Sequence, residues 1–353
     1  MFEFFSLLWG LPLLLLVVNF SLEEGSCCRF VATMSAKAVR EYHGKKLLAK
    51  YVKEVSNGRH VIDDRSVLIV PTTDFKQLAA DDDESWLLTT PLVVKPDQLI
   101  KRRGKAGLVG IKLDWAGVQS WIDQRMEQEI QIEQVTGKLD HFIVEPFVPH
   151  SQSDEYYVCI QSHREGDEIL FYSQGGIDVG DVDSKAMRWN IDIDDNSYSE
   201  ETILKANLLD GVPLERQPSL ASFVVTLLKV YRMLNFVYME INPIVFTSDG
   251  TMMPLDLAAK IDETAAFLNA SQWGHLDFPA PFGRREFPEE AYIRELDSKT
   301  GASLKLTILN PAGRIWTMVR TNFGEIQKIR PEVKLITRLS HFTPWFVGCG
   351  RWS

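Results

Sequence analysis

The segment FVYMEINPIVFTSDGTMMPLDLAAK, residues 236–260, sets an amide and a carboxylate at a spacing that could do chemistry. It reads as a hairpin that turns at Ser248–Asp249–Gly250. With the turn centred on Asp249, Asn242 lies opposite Asp256. Opposed residues of an antiparallel pair share a face, with Cβ atoms about 4.5–5.5 Å apart. Glu240, two residues along from Asn242, falls on the same face. An amide oxygen and one or two carboxylates gathered this way suit Mg²⁺, a hard cation that takes oxygen ligands and keeps bonds to substrate phosphates. A polar solvent-facing strand surface is the alternative use of the same residues, and a bulge in the turn would shift the register by one. Met239, Ile241 and Leu255 alternate onto the opposite face, where the core is expected.

A second candidate is KRRGKAGLVG, residues 101–110, with four cations and three glycines. Glycines let backbone N–H groups approach phosphate oxygens, and Arg or Lys supply charge. A solvated basic loop or a nuclear-localisation-like run would look the same. Lys95 precedes this loop on LVVKPD, among Leu92, Val93 and Val94, where a fully solvated lysine is not expected. Glu145 and Glu155 flank PFVPH and can accept hydrogen bonds from a base amino group or ribose hydroxyls. Pro146, Phe147 and Val148 can line a base pocket or serve as core. His43, His60, His141, His150, His163, His275 and His341 form no metal spacing. Neither a GxSxG elbow nor a G-x-x-x-x-G-K-[ST] loop occurs.

The elements that must position these residues follow from periodicity. Residues 37–55 carry apolar positions Leu47, Leu48, Tyr51, Val52 and Val55 at helical spacing. VLIV at 67–70 and LVVKPD at 92–97 read as strands, and HFIVEPFVPH at 141–150 as a strand broken by two prolines. EYYVCIQSHREGDEILFYS reads as a hairpin turning near Glu165–Gly166–Asp167. Helices are predicted over roughly 115–130 and Leu220–Leu234, and GGIDVGDVD is a glycine–acid loop. Mixed strands, hairpins and helices indicate an α/β or α+β enzyme core.

The chain has 353 residues, enough for two domains, with a net charge of −10 and a pI near 5.3. That balance argues against a nucleic-acid binder, which needs a basic surface. The four cysteines, Cys27, Cys28, Cys159 and Cys349, fit neither a zinc template nor a disulfide framework. Cys159 reads as a small buried hydrophobe. Residues 8–18, LWGLPLLLLVV, resemble a signal-peptide core, yet Glu3 is the one charge before them. The run is short for a membrane span of about 20 residues. At Met34 the sequence turns polar. An upstream extension is the favoured reading of residues 1–33, and secretion is the alternative.

Six segments together resemble the ATP-citrate lyase family of animal type, in its amino-terminal part: LVVKPDQLIKRRGKAGLVG, FIVEPFVPHSQ, EINP, LDLAAK, WGHLDFPAPFGR and GASLKLTILNPAGRIWTMV. The resemblance runs from Met34 to Val319. A more distant similarity is to the β subunit of succinyl-CoA ligase. The resemblance implies an ATP-grasp fold of two α+β subdomains over residues 34–283, then the truncated start of a citrate-binding CoA-ligase domain over 284–319. It implies ATP contacts from Lys95, Arg103, Gly104, Pro146, Val148 and Glu155. It places Mg²⁺ on Asn242 and Asp256, with Asp297, Thr300 and Ala302 in a further metal-contacting loop. Thr300 stands where the family has serine. Gln174 stands where it has the glutamate before two glycines.

The implied reaction joins ATP, citrate and CoA to give acetyl-CoA, oxaloacetate, ADP and phosphate, through a phosphohistidine, citryl phosphate and citryl-CoA. The acceptor histidine, the CoA site and the lyase module belong to later domains of the family. Homo-oligomerisation, a cytoplasmic location and acetyl-CoA for lipid synthesis are implied with it; nucleic-acid and membrane partners are not expected. A non-catalytic ATP-binding fragment and a succinyl-CoA ligase-like subunit are the alternatives. After Val319, residues 320–353 depart from the family pattern. The strand–turn–strand near 303–319 is therefore expected to lack partners.

Overall fold

A computed structural model of the chain describes residues 36–100, 102–176, 182, 184–284, 286–300, 303–308, 311–312, 315–320 and 333–339. The apolar leader, Lys101, residues 177–181 of the glycine–acid loop and Ala302 lie outside the described residues.

The chain opens with β1 (Ala36–Val39) and α1 (Glu41–Val55), then passes through residues 56–66 into a smaller lobe. That lobe comprises β2 (Val67–Ile69), α2 (Phe75–Ala79), α3 (Trp86–Thr89), β3 (Leu92–Pro96), β4 (Gly110–Leu113), α4 (Trp115–Asp123), β5 (Glu129–Ile132), β6 (Val135–Lys138) and β7 (Phe142–Pro146). Residues 147–154 lead back to the larger lobe. There follow β8 (Glu155–Ser162), β9 (Gly166–Tyr172), β10 (Met187–Asp192), α5 (Glu200–Lys205), α6 (Gln217–Met233), β11 (Phe236–Phe246), β12 (Met252–Pro254), β13 (Leu257–Asp262) and α7 (Ala266–Trp273).

In the smaller lobe the sheet runs β2-β7-β3-β4, every pair antiparallel, with β5 and β6 as a separate hairpin. Its core gathers Ile69, Leu87, Leu92, Val94, Val118, Ile122, Phe142 and Val144. Short helices start on side-chain caps: Asp74 accepts from Lys76 N and Gln77 N, and Asp114 accepts from Gly117 N. The helix predicted to continue to 130 stops at Asp123. Beyond it, EIQI alternates with period two, so Ile130 and Ile132 turn to the lobe core while their neighbours stay in water.

The larger lobe is one antiparallel sheet in the order β1-β13-β11-β8-β9-β10, with β12 on β11. α6 explains its main core. Leu220, Phe223, Leu227, Leu228, Val230 and Tyr231 are all buried and pack with Leu48 and Val52 of α1 and Met239 and Ile241 of β11. The other sheet face carries a small cluster of Tyr157, Cys159, Leu170 and Val182, which gives Cys159 the environment of a buried hydrophobe. α8 (Pro288–Thr300) leads to β14 (Ser303–Thr307), β15 (Ile315–Arg320) and β16 (Val333–Leu339). The expectation that this strand–turn–strand lacks partners is corrected. β16, from the divergent tail, pairs antiparallel with β14 and parallel with β15.

Candidate functional site

The hairpin of β11–β13 holds the predicted register. Ile244 lies opposite Pro254 on one side of the pair of interest and Ile241 opposite Leu257 on the other. Asn242 N donates to Asp256 O at 3.1 Å and Leu255 N to Pro243 O at 3.0 Å, so Asn242 and Asp256 do oppose one another. Met239 and Ile241 enter the core, as alternation requires. Leu255 does not. It is half-buried, because residues 255–256 form a bend between β12 and β13 that turns the Leu255 carbonyl toward two lysines. Glu240 is half-buried and accepts a hydrogen bond from the Tyr238 hydroxyl. The Asn242 Oδ1 accepts from Gly176 N at 2.8 Å, which orients the amide oxygen side.

Beside that pair stands a cluster of three cations and three carboxylates. Lys95 Nζ donates to Glu41 Oε1 at 2.6 Å and to Leu255 O at 2.5 Å, and lies 3.3 Å from Glu145 Oε2. Lys45 Nζ meets the same groups: Glu145 Oε1 at 2.7 Å, Leu255 O at 2.9 Å and Glu41 Oε1 at 2.9 Å. Arg103 Nη1 donates to Pro96 O at 2.7 Å, and Nη2 to Glu41 Oε2 at 2.6 Å and to Asp256 Oδ1. Each buried charge thereby has a partner, which removing charges from water demands. Asp256, with its side chain 44% exposed, is the open member. The other five side chains lie between 3% and 15%.

Electrostatics follow the geometry. Burial pushes Glu41 toward neutrality, yet Lys45, Lys95 and Arg103 hold its carboxyl well below the usual range. Burial pulls the Lys95 ammonium down, and the Glu41, Glu145 and Asp256 carboxylates outweigh it and raise the pKa. Arg103 is raised against its burial in the same way by Glu41 and Asp256. Asp97, at the end of β3, shows the opposite balance: burial, then the Glu41 charge, push it up to about 6.

The link between lobes carries the remaining predicted contacts. His150 bridges two of them, with Nδ1 2.7 Å from Val148 O and Nε2 3.1 Å from Glu155 Oε1. Glu155 begins β8, and a Cβ on Gly176, whose φ is +92°, would sit 2.1 Å from Glu155 Oε2. Glycine at 176 thus lets the backbone approach both Glu155 and Asn242. Gly104 lies half-buried in the turn after Arg103. Pro146 ends β7 opposite Leu92. The suggestion that Glu145 serves a base is corrected, since Lys45 and Lys95 take its carboxylate. A cleft of about 610 Å³ is lined by Pro146–Pro149, residues 61–65, Asp249, Thr251 and Met253. It includes none of Lys95, Arg103, Glu155, Asn242 and Asp256, so the charged cluster, rather than this concavity, defines the chemistry. Asp297 and Thr300 fall within helix α8 rather than in a loop, and Gln174 is exposed.

Sequence reasoning missed Glu41, Lys45 and Asp97. A signal for the first two was present. Glu41 and Lys45 stand four apart, on the same helical stripe as Leu48 and Val52, where charges are not expected. Asp97 had none, because its bonds to Glu41 N and Tyr42 N span more than fifty residues.

Two α+β lobes, with paired cations from one and an amide–carboxylate pair from the other, define an ATP-grasp nucleotide-binding fold. Residues 35–273 match the family model described as the ATP-citrate synthase ATP-grasp domain, and residues 284–323 that described as ATP citrate lyase citrate-binding. The chain belongs to the ATP-citrate synthase family. The ATP-citrate synthase of Bos taurus is 51% identical over 286 residues, which cover 81% of this chain and 26% of the bovine protein. The probable ATP-citrate synthase subunit 2 of Schizosaccharomyces pombe is 38% identical over 339 residues, covering 81% of this chain and 69% of that protein. The solved ATP citrate lyase of Methanothrix soehngenii, in complex with citrate and coenzyme A, superposes with a TM-score of 0.69 at 39% identity, over 81% of this chain and 66% of that one. The chain spans about a quarter of the length of its animal relatives.

Proposed function

We propose that this chain binds MgATP between its lobes and supplies the phosphoryl-transfer start of ATP-citrate lyase chemistry, in which ATP, citrate and CoA give acetyl-CoA, oxaloacetate, ADP and phosphate. The observation that carries the reading is the adjacency of Lys45, Lys95 and Arg103 to Asn242 and Asp256. Lys95 and Arg103 from the smaller lobe, with Lys45 from α1, meet oxygen ligands from the larger lobe at the spot where a triphosphate and its metal need both.

The donor set fits Mg²⁺. Asp256 is a carboxylate with several lone-pair sites, one of which Arg103 occupies, and Asn242 adds a neutral oxygen. Hard oxygens, few in number and next to a phosphate site, are what Mg²⁺ takes. Asn242 and Asp256 would hold the metal, which would neutralise phosphate charge. Lys95 and Arg103 would orient the β- and γ-phosphates. Pro146, Val148 and Glu155 hold the nucleoside end. The reading includes citrate and CoA as substrates of the complete enzyme, a homo-oligomeric assembly, and a cytoplasmic role supplying acetyl-CoA for lipid synthesis.

Mn²⁺ in place of Mg²⁺ gives a direct test by electron paramagnetic resonance. The full chain with ADP should bind Mn²⁺ in a nucleotide-dependent way, and Asp256→Ala and Asn242→Ala should each lose that signal. Undiminished Mn²⁺ binding in both variants would remove the metal from this hairpin.

A further inference from the structure

Of the carboxylates in the cluster, Glu41 has a place the others lack among the described residues. Its Oε1 takes both Lys95 and Lys45, and its Oε2 takes Arg103. Glu145 meets the two lysines, and Asp256 is bonded to Arg103. Glu41 also belongs to the other lobe. It is the first residue of α1, whose Leu48 and Val52 sit in the core of the larger lobe, whereas Lys95 and Arg103 come from β3 and the loop after it.

The anchor beneath it is bonded in both directions across the seam. Arg40, at the cap position of α1, makes no side-chain cap of its own. Asp97 supplies the cap from across the seam, accepting Glu41 N at 2.8 Å and Tyr42 N at 3.2 Å. Arg40 Nη1 returns a bond to Asp97 O at 2.6 Å. The stretch Lys95–Pro96–Asp97 therefore wraps the start of α1. Lys95 reaches the Glu41 carboxylate, Pro96 O receives Arg103, and Asp97 holds the backbone. A cation fixed by a buried carboxylate loses little freedom when a phosphate arrives, and preorganisation of that kind raises affinity and directs charge to one point.

We propose that Glu41 is a positioning residue for the phosphate end of the nucleotide, setting Lys95 and Arg103 from the first turn of α1. The proposal rests on the MgATP reading of this site. It requires that the loss of Glu41 be felt in proportion to phosphates beyond the first. A simple tie between lobes would instead affect all adenine nucleotides alike. Removal of an anion, acting through charge alone, would tighten ADP.

The test is Glu41→Gln in the full chain, with far-ultraviolet circular dichroism as the check on folding and calorimetric titration with ATP, ADP and AMP. ATP and ADP should weaken at least roughly tenfold, as expected for misplaced phosphate cations, while AMP changes less than about twofold. Glu41→Asp keeps the charge one methylene short and should show the same selectivity with a smaller loss. Equal weakening of the three nucleotides, unchanged affinities, or tighter ADP would overturn the proposal. So would failure of both variants to fold, which would leave Glu41 a structural role alone. If the unaltered chain binds none of the nucleotides, the MgATP reading itself falls.

Discussion

Arg103 uses one guanidinium on three oxygens, from Pro96, Glu41 and Asp256. A lysine would bring a point charge without the fork. Arg103→Lys should therefore weaken MgADP at least roughly tenfold, about 1.4 kcal/mol, in a calorimetric titration; unchanged affinity would show that the fork is dispensable. Gly176 makes a second residue-level case. With φ at +92° and Glu155 Oε2 at 2.1 Å from where a Cβ would stand, Gly176→Ala must strain the backbone and move Glu155. We expect a stability loss of about 1–2 kcal/mol in urea unfolding, together with weaker nucleotide binding. A variant with both properties intact would show that this approach is not needed. At this scale the sequence was informative where local context was unusual. Lys95 among Leu92, Val93 and Val94 was expected to avoid full solvation, and it is 5% exposed. Pairings such as Asp97 with Glu41 N depend on chain segments meeting across the seam, which no local pattern encodes.

The start of α1 gives the element-scale prediction. Asp97 is held near a pKa of about 6 against an ordinary 3.8, chiefly by burial and then by the Glu41 charge. An acid raised in the folded state keeps its proton there while the unfolded chain releases it. Its contribution to stability is therefore full below about pH 4 and falls as pH rises to about 6. The span is on the order of 3 kcal/mol. Glu41 acts in the opposite sense and lower down: its depressed pKa gives stability that is lost as pH falls below its ordinary value of 4.5. Urea unfolding of Asp97→Asn and the unaltered chain should diverge between pH 4.5 and 6, the unaltered chain losing stability relative to the variant as pH rises. Parallel curves would refute the burial argument. The hairpin was the most legible element, because a Ser–Asp–Gly turn fixes its register and alternation then assigns both faces. The end of α4 was less so: EIQI fits a helix or a strand over so few residues, and packing of Ile130 and Ile132 on the smaller lobe decided it.

At the scale of the whole molecule, two cores share one seam. Leu228 is fully buried in the larger one, away from the charged cluster. Leu228→Ala should cost about 2–5 kcal/mol in unfolding, while ADP affinity in the folded protein stays within about twofold. A large loss of affinity would tie the core directly to the site. The presence of two lobes could be read from the family resemblance, but their connection by 147–154 and the seam itself could not. It is made from side chains of α1, β3, the loop after it, β7 and the bend at 255–256, brought together by tertiary packing alone. The central claim is that this seam binds a magnesium nucleotide. Calorimetry of the full chain with ATP, with and without Mg²⁺, beside Asp256→Ala, addresses it most directly. The account predicts saturable binding at one site, strengthened by Mg²⁺ in the unaltered chain and insensitive to Mg²⁺ in the variant. No binding by the folded chain, or an equal Mg²⁺ effect in Asp256→Ala, would contradict it.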